Sequence, residues 1–200
     1  MLLANRLVMR RLIVLFVTLL LVSPSLAEPV PILIGQFHNE GEGGDVGTIR
    51  FFQIGDQLKI ALRIRFYDGV KGLQTHEDSI SLGMSDWPEL KESLLLAINS
   101  QKKFDAACLA ADRDDTFKLP QEREAVTLNE HVGTLLSKSQ KRLTLQTAFV
   151  QNYVERLNFS LTGPQTPEIS ANVEVIGDVN YVRLMLDLES AYTRWLARQS

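Results

Sequence analysis

A ten-residue alternation constrains this chain more than anything else in it. Leu58, Ile60, Leu62, Ile64 and Phe66 are apolar, and Lys59, Ala61, Arg63, Arg65 and Tyr67 stand between them. Successive side chains of an extended backbone point to opposite faces, so one face of this segment is apolar and the other carries charge. That pattern predicts an antiparallel strand covering a core on one side only. Thr48–Ile54 precedes it across Gly55-Asp56, the short glycine-bearing turn that a hairpin prefers. Asp68-Gly69 ends the run, and Ser79–Leu82 reads as a further short strand. Ile32–Phe37 reads as a first strand, followed by a polar, glycine-rich loop from His38 to Asp45.

The middle of the chain changes period. Ser85-Asp86-Trp87-Pro88 has the form of a helix start, with a cap, a proline in the first turn and Glu89 and Glu92 near the positive end of the dipole. Leu90, Leu94, Ala97, Ile98, Phe104, Cys108 and Ala111 then recur at helical spacing, which predicts a helix ending around Asp112–Asp115. Between Val132 and Leu157 two periods compete. Val132, Leu136, Leu143, Val150, Val154 and Leu157 keep a helical step, whereas Leu143, Leu145, Thr147 and Phe149 alternate. The absence of Gly and Pro from Thr134 to Thr162 selects helix for most of the segment, with a strand at Leu157–Leu161. Ile169, Ala171, Val173 and Val175 alternate again before Gly177-Asp178. Beyond that turn the expectation is a strand from Val179 to about Asp187 and a short amphipathic helix to Ala197. Tyr181, Met185, Leu188, Tyr192 and Trp195 offer a competing helical face. The predicted class is α+β: an antiparallel sheet built from N-terminal and C-terminal hairpins, with the central helices packed on one face.

Residues 1–27 read differently. Arg6, Arg10 and Arg11 form a basic head, Leu12–Val22 is apolar except for Thr18, and Ser25-Leu26-Ala27 places small residues where a signal peptidase cuts. The expectation is a cleaved signal peptide over 1–27 and a single α+β domain over 28–200, located in the periplasm or the medium. A spanning helix needs about 20 apolar residues, so no stable membrane insertion is expected after cleavage. Without the leader, 18 basic groups face 24 acidic ones. That balance argues against a nucleic-acid binder, which needs clustered positive charge to neutralise phosphates. Cys108, the sole cysteine, excludes a disulfide within the chain, which points to a bacterial envelope protein, and its alanine neighbours suit a small core residue.

Catalytic signatures are missing. His38, His76 and His131 form no zinc-ligating spacing, and neither a nucleophile elbow nor a phosphate-cradling or dinucleotide loop occurs. No metal and no cofactor is expected, although the acidic Asn39–Asp45 loop has oxygen ligands of the kind calcium takes. The concentration of charge that stands out is Lys59, Arg63 and Arg65, with Tyr67 at the end of the same face. These four are the predicted binding residues. The resulting expectation is an exported, non-enzymatic protein that binds an envelope protein or an extracellular ligand, acidic in character. Two alternatives are a small apolar-ligand carrier and a secreted hydrolase. The hydrolase would need His76, Glu77 and the Asp112–Asp115 group to converge in three dimensions.

Overall fold

In a computed structural model, which describes residues 29–40, 46–114, 124–174 and 176–200, the chain is an α+β protein with two antiparallel four-stranded sheets and two helices. The predicted leader, most of the Asn39–Asp45 loop and Asp115 lie outside the described residues. Sheet 1 holds β1 (Ile32–Glu40), β2 (Val46–Ile54), β3 (Gln57–Asp68) and β4 (Gly72–Gly83) in chain order. A 3-10 turn at Met84–Asp86 leads into α1 (Trp87–Asp114). Sheet 2 repeats the meander with β5 (Thr127–Leu136), β6 (Arg142–Val150), β7 (Val154–Thr162) and β8 (Ile169–Val173), and α2 (Val179–Leu196) follows. The element order is therefore four strands and a helix, twice, although the sequence shows no matching repeat.

The alternating segment is strand β3, with Leu58, Ile60 and Leu62 wholly buried. Their face of sheet 1 shares one core with Leu143, Leu145, Phe149, Leu157, Phe159 and Leu161 of sheet 2. Phe51 and Phe159 meet edge to face there, with centroids 6.3 Å apart. Each helix lies against the first strand of the other set. Phe104 of α1 stacks on Phe149 while Ser93 meets the bulge of β5, and Tyr181 of α2 stacks on Phe37 of β1. Buried Tyr181 donates its hydroxyl to the Leu94 carbonyl at 2.9 Å, and burial pushes its pKa up. Trp195 ties the end of α2 to the β2–β3 turn through a 2.9 Å bond from Nε1 to Asp56.

Three sequence expectations are corrected. Most of Thr134–Thr162 is not helix but the three strands β5, β6 and β7, and Leu143–Val150 is β6. The turns between them carry left-handed backbone without glycine, at Gln140 (φ 61°) and Asn152 (φ 65°). Side chains stand in for the missing glycine chemistry: Ser137 Oγ accepts Lys141 N at 3.0 Å and holds the first turn closed. Val179–Asp187 is the start of α2 rather than a strand, capped by Asp178, whose side chain accepts Tyr181 N at 2.7 Å. The alternation that mimicked a strand is two stripes of one helix. Leu184 and Leu188 are buried, while Val182 and Leu186 are exposed on the opposite side. Finally, β4 begins at Gly72, so His76, Glu77 and Asp78 sit in a strand rather than a loop.

Candidate functional site

The outer face of sheet 1 follows from the alternation and the hairpin register. The β2–β3 turn needs left-handed backbone at Gly55 (φ 57°), and it sets Phe52 opposite Lys59, Arg50 opposite Ala61, Thr48 opposite Arg63 and Val46 opposite Arg65. On the other side, β1 sets Gln36 opposite Arg50 and His38 opposite Thr48. Lys59, Arg63, Arg65 and Tyr67 therefore share one face with Arg50, Gln36 and His38. Gln36, His38, Thr48, Arg50, Arg63 and Arg65 line a shallow open depression of about 400 Å³. His38 Nδ1 lies 3.2 Å from Thr48 Oγ1, which fixes its ring at the rim.

Of the four predicted residues, Arg63 and Arg65 line the depression. Lys59 lies nearer the β2–β3 turn on the same face, and Tyr67 stands past the last β2–β3 pair. The sequence reading missed Arg50 and His38. Arg50 was legible in β2's own alternation, because Ile49 and Phe51 face the core and a two-residue turn fixes the register. His38 was hidden, because the glycines that follow it mark a loop, whereas β1 runs on to Glu40.

Among the described residues no ion pair neutralises the arginines and lysine of this face. None of Arg50, Lys59, Arg63 and Arg65 forms an ion pair with a described residue, in contrast to Lys91 with Glu189, Lys103 with Glu130 and Lys141 with Asp78. Glu77 is the acid opposite Arg63 in the register, and it makes no bond to it. Arg63 Nε is buried without a hydrogen-bond partner. A desolvated guanidinium donor without an acceptor is an unfavourable state that an arriving anion relieves.

The alternative site residues do not converge. His76 packs edge to face on Phe66 at 5.0 Å, while adjacent Glu77 projects to the opposite face of β4. Asp112, at the far end of α1, accepts a 3.2 Å hydrogen bond from Gln151. A second cleft of about 520 Å³ opens between β1, β8 and the start of α2, lined by His38, Glu174, Asp178, Arg183 and Asp187 among others. There Asp178 is engaged as the helix cap. No group of His, Cys, Asp and Glu among the described residues is arranged to hold a metal ion. Cys108 is half-buried against the core, and burial together with Asp112, Asp105 and Glu155 pushes its thiol pKa up, the opposite of what a nucleophile requires.

The chain matches no family model, and comparison with curated proteins and with solved structures yields no match.

Proposed function

We propose that this is an exported, non-enzymatic binding protein of the bacterial envelope, which recognises an anionic partner through the outer face of sheet 1. One observation carries the reading: four cations without an ion-pair partner among the described residues share that face in a chain whose formal net charge is −3. Rows of long cations on neighbouring strands lie about 5 Å apart, and alternate residues along one strand about 7 Å apart. The face therefore presents a grid of donors to an extended anion rather than a pocket for a small one. Arg50, Arg63 and Arg65 supply planar forks suited to carboxylate or phosphate.

Calorimetric titration with poly-glutamate, used as a plain anionic probe, tests this. The native protein binds with an affinity that falls as salt rises, and the double substitution Arg63→Glu and Arg65→Glu weakens binding at least about tenfold. Its thermal midpoint falls by no more than about 4 °C, because a glutamate at 63 faces Glu77 across the β3–β4 pair and such a like-charge pair costs up to about 1 kcal/mol. Undiminished binding by the charge-reversed protein overturns the proposal.

A further inference from the structure

Among the described residues, the β3–β4 hairpin extends past the last β2–β3 pair. Its pairs continue to Asp68↔Gly72, whereas the pairing of β2 with β3 stops at Val46↔Arg65. Past that point the sequence is Phe66-Tyr67-Asp68-Gly69-Val70-Lys71-Gly72-Leu73-Gln74. Turns normally carry polar residues at their apex, but here Val70 is 94% exposed, with Tyr67 at 71% and Leu73 at 54%. Tyr67 and Leu73 are register partners, so they form an apolar pair directly behind Val70.

The turn is ordered. Asp68 Oδ1 accepts Val70 N at 2.8 Å and Lys71 N at 3.1 Å, and Gln74 Nε2 donates to the Lys71 carbonyl at 3.0 Å. Gly72 supplies the left-handed residue that closes it (φ 72°). Asp68 is the acid at the tip, and its two backbone bonds hold its carboxyl below the usual range and turn it back into the loop. The apolar apex is thus presented rigidly, and binding does not have to order it.

Along the hairpin axis the chemistry is layered. Val70 and Lys71 stand at the apex, the register pair Tyr67 and Leu73 comes next, and Arg65 lies about 7 Å and Arg63 about 13 Å behind Tyr67 at the rise of a strand. An anionic bilayer surface suits this arrangement: Val70, Leu73 and Tyr67 meet the interfacial zone, the long stem of Lys71 lets its charge reach back to the headgroups, and Arg65 and Arg63 stand level with that negative layer. A soluble acidic partner would explain the arginines and leave the apex without a role.

We infer that the anionic partner of this face is a lipid surface, with the Tyr67–Leu73 tip seated in the interfacial layer and Arg63, Arg65 and Lys71 on the headgroups; the inference rests on the reading of the basic face given above. The attachment is peripheral and reversible by salt. No helix among the described residues is long and apolar enough to cross a membrane.

Protein recovered after export from an expressing bacterium is sedimented with vesicles of phosphatidylcholine alone or mixed with phosphatidylglycerol. The native protein pellets with the mixed vesicles, stays in solution with the neutral ones, and is released by high salt. The substitutions Val70→Ser and Leu73→Ser lower the vesicle partition about tenfold and leave poly-glutamate binding unchanged, while Arg63→Glu with Arg65→Glu lowers both. Native protein that binds poly-glutamate but not mixed vesicles overturns the lipid assignment and leaves the basic-face reading intact. So does a tip variant that partitions as well as native. Binding to neither probe overturns both.

Discussion

Gly133 and Gly35 do the same work at two places. Each sits at a bulge in the first strand of its sheet, where the register slips between His131 and Gly133 and between Leu33 and Gly35. A helix presses on each. A Cβ on Gly133 would lie 2.7 Å from Ser93 Cβ and collide with Ser93 Oγ, on the backbone-proximal part of α1 that cannot swing away. A Cβ on Gly35 meets the flexible end of Leu184 instead. Gly133→Ala is therefore expected to destabilise the protein by about 2–3 kcal/mol and Gly35→Ala by less, as read by urea unfolding. Combining Gly133→Ala with Ser93→Gly removes the colliding atoms, and the double variant should be more stable than the sum of the singles. Additive losses would show that the contact is not the cause. Cys108 makes a second residue-level prediction. With its thiol held protonated and half-covered, alkylation at neutral pH should be slow in the folded protein and fast in denaturant.

Among the elements, the junction of the two helices carries an acid-sensitive contact. Trp87 Nε1 and Lys91 Nζ of α1 both donate to Glu189 Oε2 of α2, at 2.7 and 3.0 Å. Those two bonds, Trp87's first, hold the Glu189 carboxyl below its ordinary value of 4.5. Glu130 is held down in the same way by Ser100 and Lys103. A carboxyl whose folded pKa is depressed contributes stability that is fully present above the unfolded value and is lost as pH falls through the folded one. Glu189→Gln should therefore lower stability by about 1 kcal/mol at pH 7. The gap from native should close as pH drops below 4.5. A gap that persists at low pH would show that the charge is not what stabilises the pair. The elements also show what the sequence hid. Strand β3 and α1 were legible because Leu58–Phe66 and Leu90–Cys108 each obey one period. The β6 and α2 segments were not, because Leu143–Val150 satisfies two periods and Val182 and Leu186 place a second apolar stripe on the exposed side of a helix. Turn chemistry would have settled β6 only if Gln140 and Asn152 had been recognised as residues that tolerate left-handed backbone.

At the scale of the whole molecule, the two sets of four strands and a helix depend on each other. The face of β5 is covered by α1 from the first set, and β1 is covered by α2 from the second. Residues 31–200 should consequently unfold in a single transition, with fluorescence and far-ultraviolet dichroism giving coincident curves. Separated transitions would contradict this interdependence. The one-sided sheet is also what makes the binding face possible. With Leu58, Ile60 and Leu62 committed to the core, the residues between them turn to the other side of the sheet, where Ala61 is covered and Lys59 is partly exposed. That much of the site was readable from one strand, whereas the part contributed by β1 and β2 required the register. The most direct measurement is the perturbation of backbone amide resonances as poly-glutamate is titrated into the protein. Shifts concentrated at 36–38, 48–50 and 59–65, absent after Arg63→Glu with Arg65→Glu, are the predicted result. Shifts gathered instead around Asp178, Arg183 and Asp187, or spread evenly over the chain, would contradict the account.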